Sequence, residues 1–268
     1  MSTTTAKPAL VRSELRKITS TRLWWGLLIG VAIYTAISAG ASAAFAGVDP
    51  GGGQPPSPPL DTPEAIRTVY ASAAFSGAYI FAMILGITGM TGEYRYQTIT
   101  PTFLAVPRRV RIVLSKMAAH IGYGLAYGAV GAVVALVVGG IVISIRGFDL
   151  GYGTDRLWPS ILLGVVAVAI WTLVGLGIGT LIRNQIAAIL VAVFVVFLVE
   201  GIATAILAAT DLDSVAKWLP TNASAALTSP GSSQLEYLPW WAGGLVLLGY
   251  AVVLGGIGLL LSSRRDVT

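Results

Sequence analysis

Apolar residues gather in six long runs, roughly 23–46, 69–92, 115–145, 160–182, 186–209 and 241–262, parted by short polar or Gly/Pro-rich stretches. A helix needs about 20 apolar residues to cross a hydrocarbon core, so the pattern predicts six membrane-spanning helices, with both ends of the chain on one side. The third run, about 30 residues, must tilt, kink or emerge from the bilayer. The second has an early start signal in Thr62-Pro63-Glu64, an N-cap residue followed by a proline and an acid. Ahead of the first run, ALVRSELRKITSTRLWW places Leu10, Val11, Leu15 and Ile18 at helical spacing, with Arg12, Arg16 and Lys17 on other faces. Residues 1–22 therefore read as an amphipathic helix in the membrane interface, its basic side chains reaching anionic headgroups. The same charges also serve as a plain topological anchor.

Composition agrees with the runs. Hydrophobic residues make up 55% of the chain and charged residues 11%, against about 25% charged in a soluble domain. Glycine, at 32 residues, suits close helix packing in lipid. The reading is an all-α integral membrane protein forming one domain over 1–268.

Sorting Lys and Arg between the loops orients the chain. One side takes Lys7, Arg12, Arg16, Lys17 and Arg22, then Arg95, Arg108, Arg109, Arg111 and Lys116, then Arg183, and last Arg264 and Arg265, thirteen in all. The other takes four, Arg67, Arg146, Arg156 and Lys217. Both termini and the loop after the second span are expected in the cytoplasm, with the plasma membrane as host. Trp24 and Trp25 mark an inner membrane boundary, and Trp158, Trp240 and Trp241 outer ones. Outside, GVDPGGGQPPSPPLDT (47–62) reads as a mobile connection, and WLPTNASAALTSP, within 210–240, as short helices dipping back toward the membrane.

Catalytic and nucleotide signatures are missing. There is no cysteine, so no thiolate metal site or cysteine nucleophile. The single histidine, His120, builds no His-rich metal site and lies where interfacial water can satisfy it. There is no GxxxxGK[ST] phosphate loop and no HExxH. GLGIGT (Gly175 to Thr180) lacks the third glycine of a nucleotide fingerprint and sits in an apolar run, so it reads as helix packing, as do Gly124 and Gly128. The chain is not expected to be an enzyme by itself or to bind a cofactor or nucleic acid. Glu200 is the ionisable residue within a span. Two roles fit it, a contact on a translocation path or a protonated strut between helices.

The loop TGEYRYQTITPTFLAVPRRVRIVLSK holds more than a topology signal. Thr100-Pro101 starts a helical turn, Pro107 ends it, and Phe103 and Leu104 lie between them, apolar residues at a membrane surface. Such an element suits docking of a partner.

These residues resemble the membrane-spanning permease subunits of type-2 ATP-binding-cassette exporters. That family's pattern, G-x-E-x-R-x-x-T followed by Leu, P-x-R and Lys, is matched by Glu93, Arg95, Thr98, Leu104, Pro107, Arg109 and Lys116, although Gln97 stands where many relatives have glycine. WLPTNASAAL is similar to the family's outer re-entrant region between spans five and six. The resemblance implies a homodimer or a pair with a sister permease, docked through a cytoplasmic coupling helix within 93–114 onto a separate P-loop ATP-binding subunit. ATP and Mg would sit on that partner, and an amphipathic, lipid-like, drug or peptide substrate would move outward. The competing readings are a non-transporting scaffold, sensor or intramembrane enzyme, and an ion-coupled carrier working through Glu200.

Overall fold

A computed structural model describes residues 6–49, 57–96, 109–210, 212–228 and 238–265, and among these the fold is all-helical. The helices are α1 (Ala6–Thr19), α2 (Leu23–Phe45), α3 (Pro63–Arg95), α4 (Arg109–Ile145), α5 (Leu157–Leu181), α6 (Gln185–Ala209), α7 (Asp213–Ala216), α8 (Pro220–Thr228) and α9 (Trp240–Arg265). Six of them, α2, α3, α4, α5, α6 and α9, are long and apolar enough to cross a membrane. The chain has the architecture of a multi-pass membrane protein.

Local chemistry sets several boundaries. The Thr62 hydroxyl accepts from the Ala65 amide at 3.3 Å, with Pro63 as the first helical residue, so the early start signal of the second span operates. Asn184 caps α6 in the same way, accepting from Ala187 at 3.1 Å. At the far end of α2 the Arg146 guanidinium donates to the carbonyls of Ala43 and Ala46 at 2.8 and 2.9 Å, supplying the orphan acceptors of a helix C-terminus with a cation. α4 is one unbroken helix of 37 residues, about 55 Å long at 1.5 Å per residue. It answers its excess length by running on beyond the span, and α1 packs on the overhang.

The glycines decide which helices are central. Both α3 and α5 are largely buried, 72% and 67% over their most apolar stretches, against 22% for α2, α6 and α9. Gly86 meets the backbone of Thr172, while Gly175 and Gly179 meet that of Met83 and Ile87. A Cβ at any of the three would collide with backbone atoms of the facing helix. On the other side of α5, Gly177 lies against Leu254 and Gly255 of α9. GLGIGT is thus a two-sided packing motif, and Gly124 and Gly128 seat α4 on Ala169 and Val165 of α5. Close backbone approach of this kind drives helix association in lipid, where apolar burial gives no preference for protein over solvent.

Two π-helical turns interrupt the spans, Thr68–Ser72 in α3 and Val195–Val199 in α6. At the end away from α1, α8 packs between α5 and α9, with Trp171 Nε1 donating to Ser224 Oγ at 2.8 Å and Gly243 beside Ala223. Of the 47–62 connection, residues 50–56 lie outside the described residues. Its flanks are joined by Gly47 N donating to Ser57 O at 3.1 Å, and Leu60 is buried.

Replacing Gly175 by valine drives a branched side chain into the Met83 backbone and is expected to destabilise the fold by about 1–3 kcal/mol or more. Gly122, which has open space around it, serves as control. Thermal unfolding in mild detergent should show a clearly lower midpoint for Gly175→Val and none of that loss for Gly122→Ala.

Candidate functional site

α1 presents one buried stripe. Positions 11, 14 and 18 share a helical face, and Glu14 and Ile18 are buried while Leu15 is 36% exposed. The apolar face expected from Leu10, Val11, Leu15 and Ile18 is therefore rotated, and its centre is an acid. The reason is Lys116, two turns into α4. Its ammonium lies 2.8 Å from Glu14 Oε2 and 2.9 Å from Glu93 Oε1, and it donates further to the Gly89 carbonyl at 3.2 Å. Lys17 completes the arrangement, 2.7 Å from Glu14 Oε1 and 2.9 Å from Glu93 Oε1.

The four side chains alternate in sign around a closed ring of zero net charge. Removing a charge from water costs several kcal/mol unless partners and hydrogen bonds replace the solvent, and here each ammonium meets two carboxylates. Lys116, Glu14 and Glu93 are buried, and Lys17, 40% exposed, is the ring's outward corner. Glu93 and Lys116 bound the loop opening, so their contact closes the neck of the 97–108 segment.

Burial alone would push the Glu14 carboxyl up, but Lys116 and Lys17 overcome it and hold it below the ordinary value of 4.5. Burial likewise disfavours charge on Lys17, and the Glu14 and Glu93 bonds overcome that and hold it above 10.5. Glu14 therefore contributes stability present above its unfolded value and lost as pH falls through the lowered folded one. Lys17 contributes stability present below 10.5 and lost as pH rises through its raised value.

One turn along α4, His120 is 1% exposed, not at a wetted boundary as expected. Its Nδ1 lies 2.8 Å from the Lys116 carbonyl. A carbonyl only accepts, so Nδ1 carries the proton and Nε2 the lone pair. Nε2 is buried without a partner and faces Gly89, where a Cβ would collide with it. Ring and histidine both border a cleft of about 430 Å³ between the α1–α2 junction, the end of α3 and the starts of α4 and α6.

The other anticipated residues are scattered. Arg95 is exposed and its guanidinium lies 5.7 Å from the Tyr96 ring centroid. Thr98, Phe103, Leu104 and Pro107 lie outside the described residues, and of Arg109 only its helical backbone is described. Arg12 and Arg16 are exposed. Lys17, expected to reach headgroups, points its ammonium into the ring. Trp24 packs edge-on against Tyr123 at 6.3 Å, and Trp25 is exposed.

Glu200 follows the π turn of α6 and is buried. Its Oε2 accepts from the Thr221 amide at 2.9 Å and the Thr221 hydroxyl at 2.6 Å, placing a carboxylate at the positive end of α8. Thr221 was not anticipated, although Pro220-Thr221 is a helix-start pair and an acid within a span demands a donor. Among the described residues no cluster of three or more His, Cys, Asp or Glu could hold a metal ion.

A protein family described as "Protein of unknown function (DUF2705)" matches residues 27–268. The chain belongs to this family. No curated protein matches it. The DUF2705 match takes in Glu93, Lys116, His120 and Glu200, while α1, with Glu14 and Lys17, precedes it.

Lys116→Met leaves two buried carboxylates sharing only Lys17 and is expected to cost about 3–5 kcal/mol, read as a lower unfolding midpoint and earlier proteolytic loss of α1. The parent is expected to lose thermal stability as pH falls below 4.5 and through the lowered Glu14 value, and in Glu14→Gln that loss should shrink, which unfolding midpoints measured across acidic pH will check.

Proposed function

We propose that the chain is the permease subunit of a type-2 ATP-binding-cassette exporter, both termini in the cytoplasm of a plasma membrane and a separate P-loop subunit hydrolysing ATP. In this reading α1 is an interfacial helix, segment 93–114 carries the coupling helix, and α7 and α8 form an outer re-entrant region. Two copies, or one copy and a sister permease, enclose the path of an amphipathic substrate.

The observation that carries the proposal is the closed neck of the 97–108 segment. A docking element on a slack loop would dissipate the motion of its partner. Here both ends of the segment are tied by Glu93, Lys116 and the two α1 charges into one body with α3, and α3 is locked to α5 by backbone contact at Gly86, Gly175 and Gly179. Displacement applied near Phe103 and Leu104 would reach the two central spans with little loss. The thirteen-to-four division of Lys and Arg supports the orientation. Glu200, already accepting two bonds from Thr221, fits a strut better than a titrating carrier site.

Leu104→Asp and Phe103→Asp test the reading. A buried apolar anchor is worth about 1.5–3 kcal/mol, roughly tenfold or more in affinity, so each variant should reach the membrane at parental levels yet lose most of the ATPase that co-purifies with the full chain. Undiminished recovery of the ATPase would overturn it. Glu200→Gln, which keeps an acceptor for Thr221, should leave ATP-driven export intact. An ion-coupled carrier would stop.

A further inference from the structure

α6 is built as two pieces. Its near half, Gln185–Phe194, packs on α3 and α5, and its far half, Glu200–Ala209, lies away from α1. The π turn Val195–Val199 joins them. The buried positions of α6 are Ala188, Ala192, Val196 and Glu200, each four residues after the last. A step of four overshoots a 3.6-residue turn by about 40°, so three such steps in plain α-helix would turn Glu200 about 120° away from Ala188. The π turn takes up the overshoot, because an i→i+5 bond, here the Glu200 amide donating to the Val195 carbonyl, absorbs one extra residue.

The two π turns of the molecule differ in how they are held. At Thr68–Ser72 the side chains of Val69, Tyr70 and Ala71 are at most 1% exposed, and the Tyr70 hydroxyl donates to Leu150 O at 3.0 Å. That turn is clamped in the core. At Val195–Val199 only Val196 is buried, and the other four side chains are at least 40% exposed. Neighbouring helices therefore do not brace it, and helices bend at such turns. Beyond it the far half packs on α7, while Ile202, Ala205, Ile206 and Ala209 are exposed. What holds it inward is a polar seam to α8: Glu200 accepts from the Thr221 amide and hydroxyl, and Asn222 donates to Thr204 Oγ1 at 3.1 Å. α8 itself is fixed to α5 through Trp171 and Ser224.

We infer that the far half of α6 is a hinged flap, bending at Val195–Val199 and latched shut on α8 by Glu200–Thr221 and Thr204–Asn222. Closed, it covers the Glu200 carboxylate and the start of α8. Open, it uncovers both and parts α6 from α8 on the membrane side, with the near half still seated on α3 and α5. The latch is polar and the hinge is unbraced, so the motion breaks few apolar contacts. The inference goes beyond the permease reading and holds whether or not an ATPase drives the chain.

The chain has no cysteine, so pairs of spin labels can be placed on it cleanly. Ile206→Cys on the flap and Leu190→Cys on the near half, each paired with Leu245→Cys of α9, are exposed positions. Distances are read by pulsed electron resonance on the full chain in lipid nanodiscs, diluted with unlabelled chain. Glu200→Ala removes two bonds to a charged oxygen and should raise the long-distance population of the 206–245 pair at least about tenfold. The 190–245 distances should stay as in the parent, which also shows that the variant has folded. Glu200→Gln keeps an oxygen for Thr221 and should keep the parent distribution at both pairs. Deleting Phe197, an exposed residue of the π turn, leaves Ala192 and Glu200 seven positions apart, two turns of plain α-helix on the same face. Added to Glu200→Ala, it should abolish the long 206–245 distance while 190–245 is unchanged. A 206–245 distribution unmoved by Glu200→Ala, a shift shared by both pairs, or a long distance that survives the deletion would each overturn the hinged flap.

Discussion

A charge taken out of water must be matched by charge, and the end of this molecule that holds α1 is organised by that demand. Lys116 is buried between helices, where an unpaired ammonium would be prohibitively costly. Its two carboxylates come from helices distant in sequence, 102 and 23 residues away. Satisfying one lysine therefore fixes α1 on α4, fixes the end of α3 beside the start of α4, and closes the loop between them. Lys17 balances the second negative charge and brings the cluster to neutrality. No apolar contact could specify this register so narrowly, because a rotation of α1 by one residue would break both of its links across the ring, Glu14 to Lys116 and Lys17 to Glu93.

Farther along the spans the organising force changes from charge to shape. α3 and α5 meet through glycines at 86, 175 and 179, and α5 meets α9 through Gly177 and Gly255. Removing side chains at these points lets backbones touch and gathers many small dispersion contacts. The two regimes meet at Gly89. Its carbonyl accepts from Lys116, and its missing side chain makes room for His120.

Much of the fold was legible from the chain alone. The six spans, the Thr62 cap, the helical character of 213–228 and the packing role of GLGIGT each follow from a local signal: apolar length, capping chemistry or glycine spacing. What escaped was long-range pairing. Glu14 stands inside a basic amphipathic stretch and looks like solvated charge. Nothing in its neighbourhood reveals that a lysine 102 positions later will turn it inward and displace Leu15 to the surface. His120 was misread for the same reason, since its burial depends on α1 and α3 covering it. Glu200 was recognisable as an acid at membrane depth, but its partner lies 21 residues on, in a helix whose seat is set by Trp171 and Gly243. Residues 97–108, where the docking reading is concentrated, lie outside the described residues.

The separation of the ring's members along the chain has a bearing on biosynthesis. At about 5–20 residues per second, the 102 residues between Glu14 and Lys116 take roughly 5–20 s to translate. Until then Glu14 lacks its buried partner and has only Lys17, one turn away on a short helix. α1 therefore waits, unanchored, while two spans enter the membrane, and docks only once the third has begun. α1 is made before the spans it packs on and settles only after them, so its docking reports that these three spans have inserted in register.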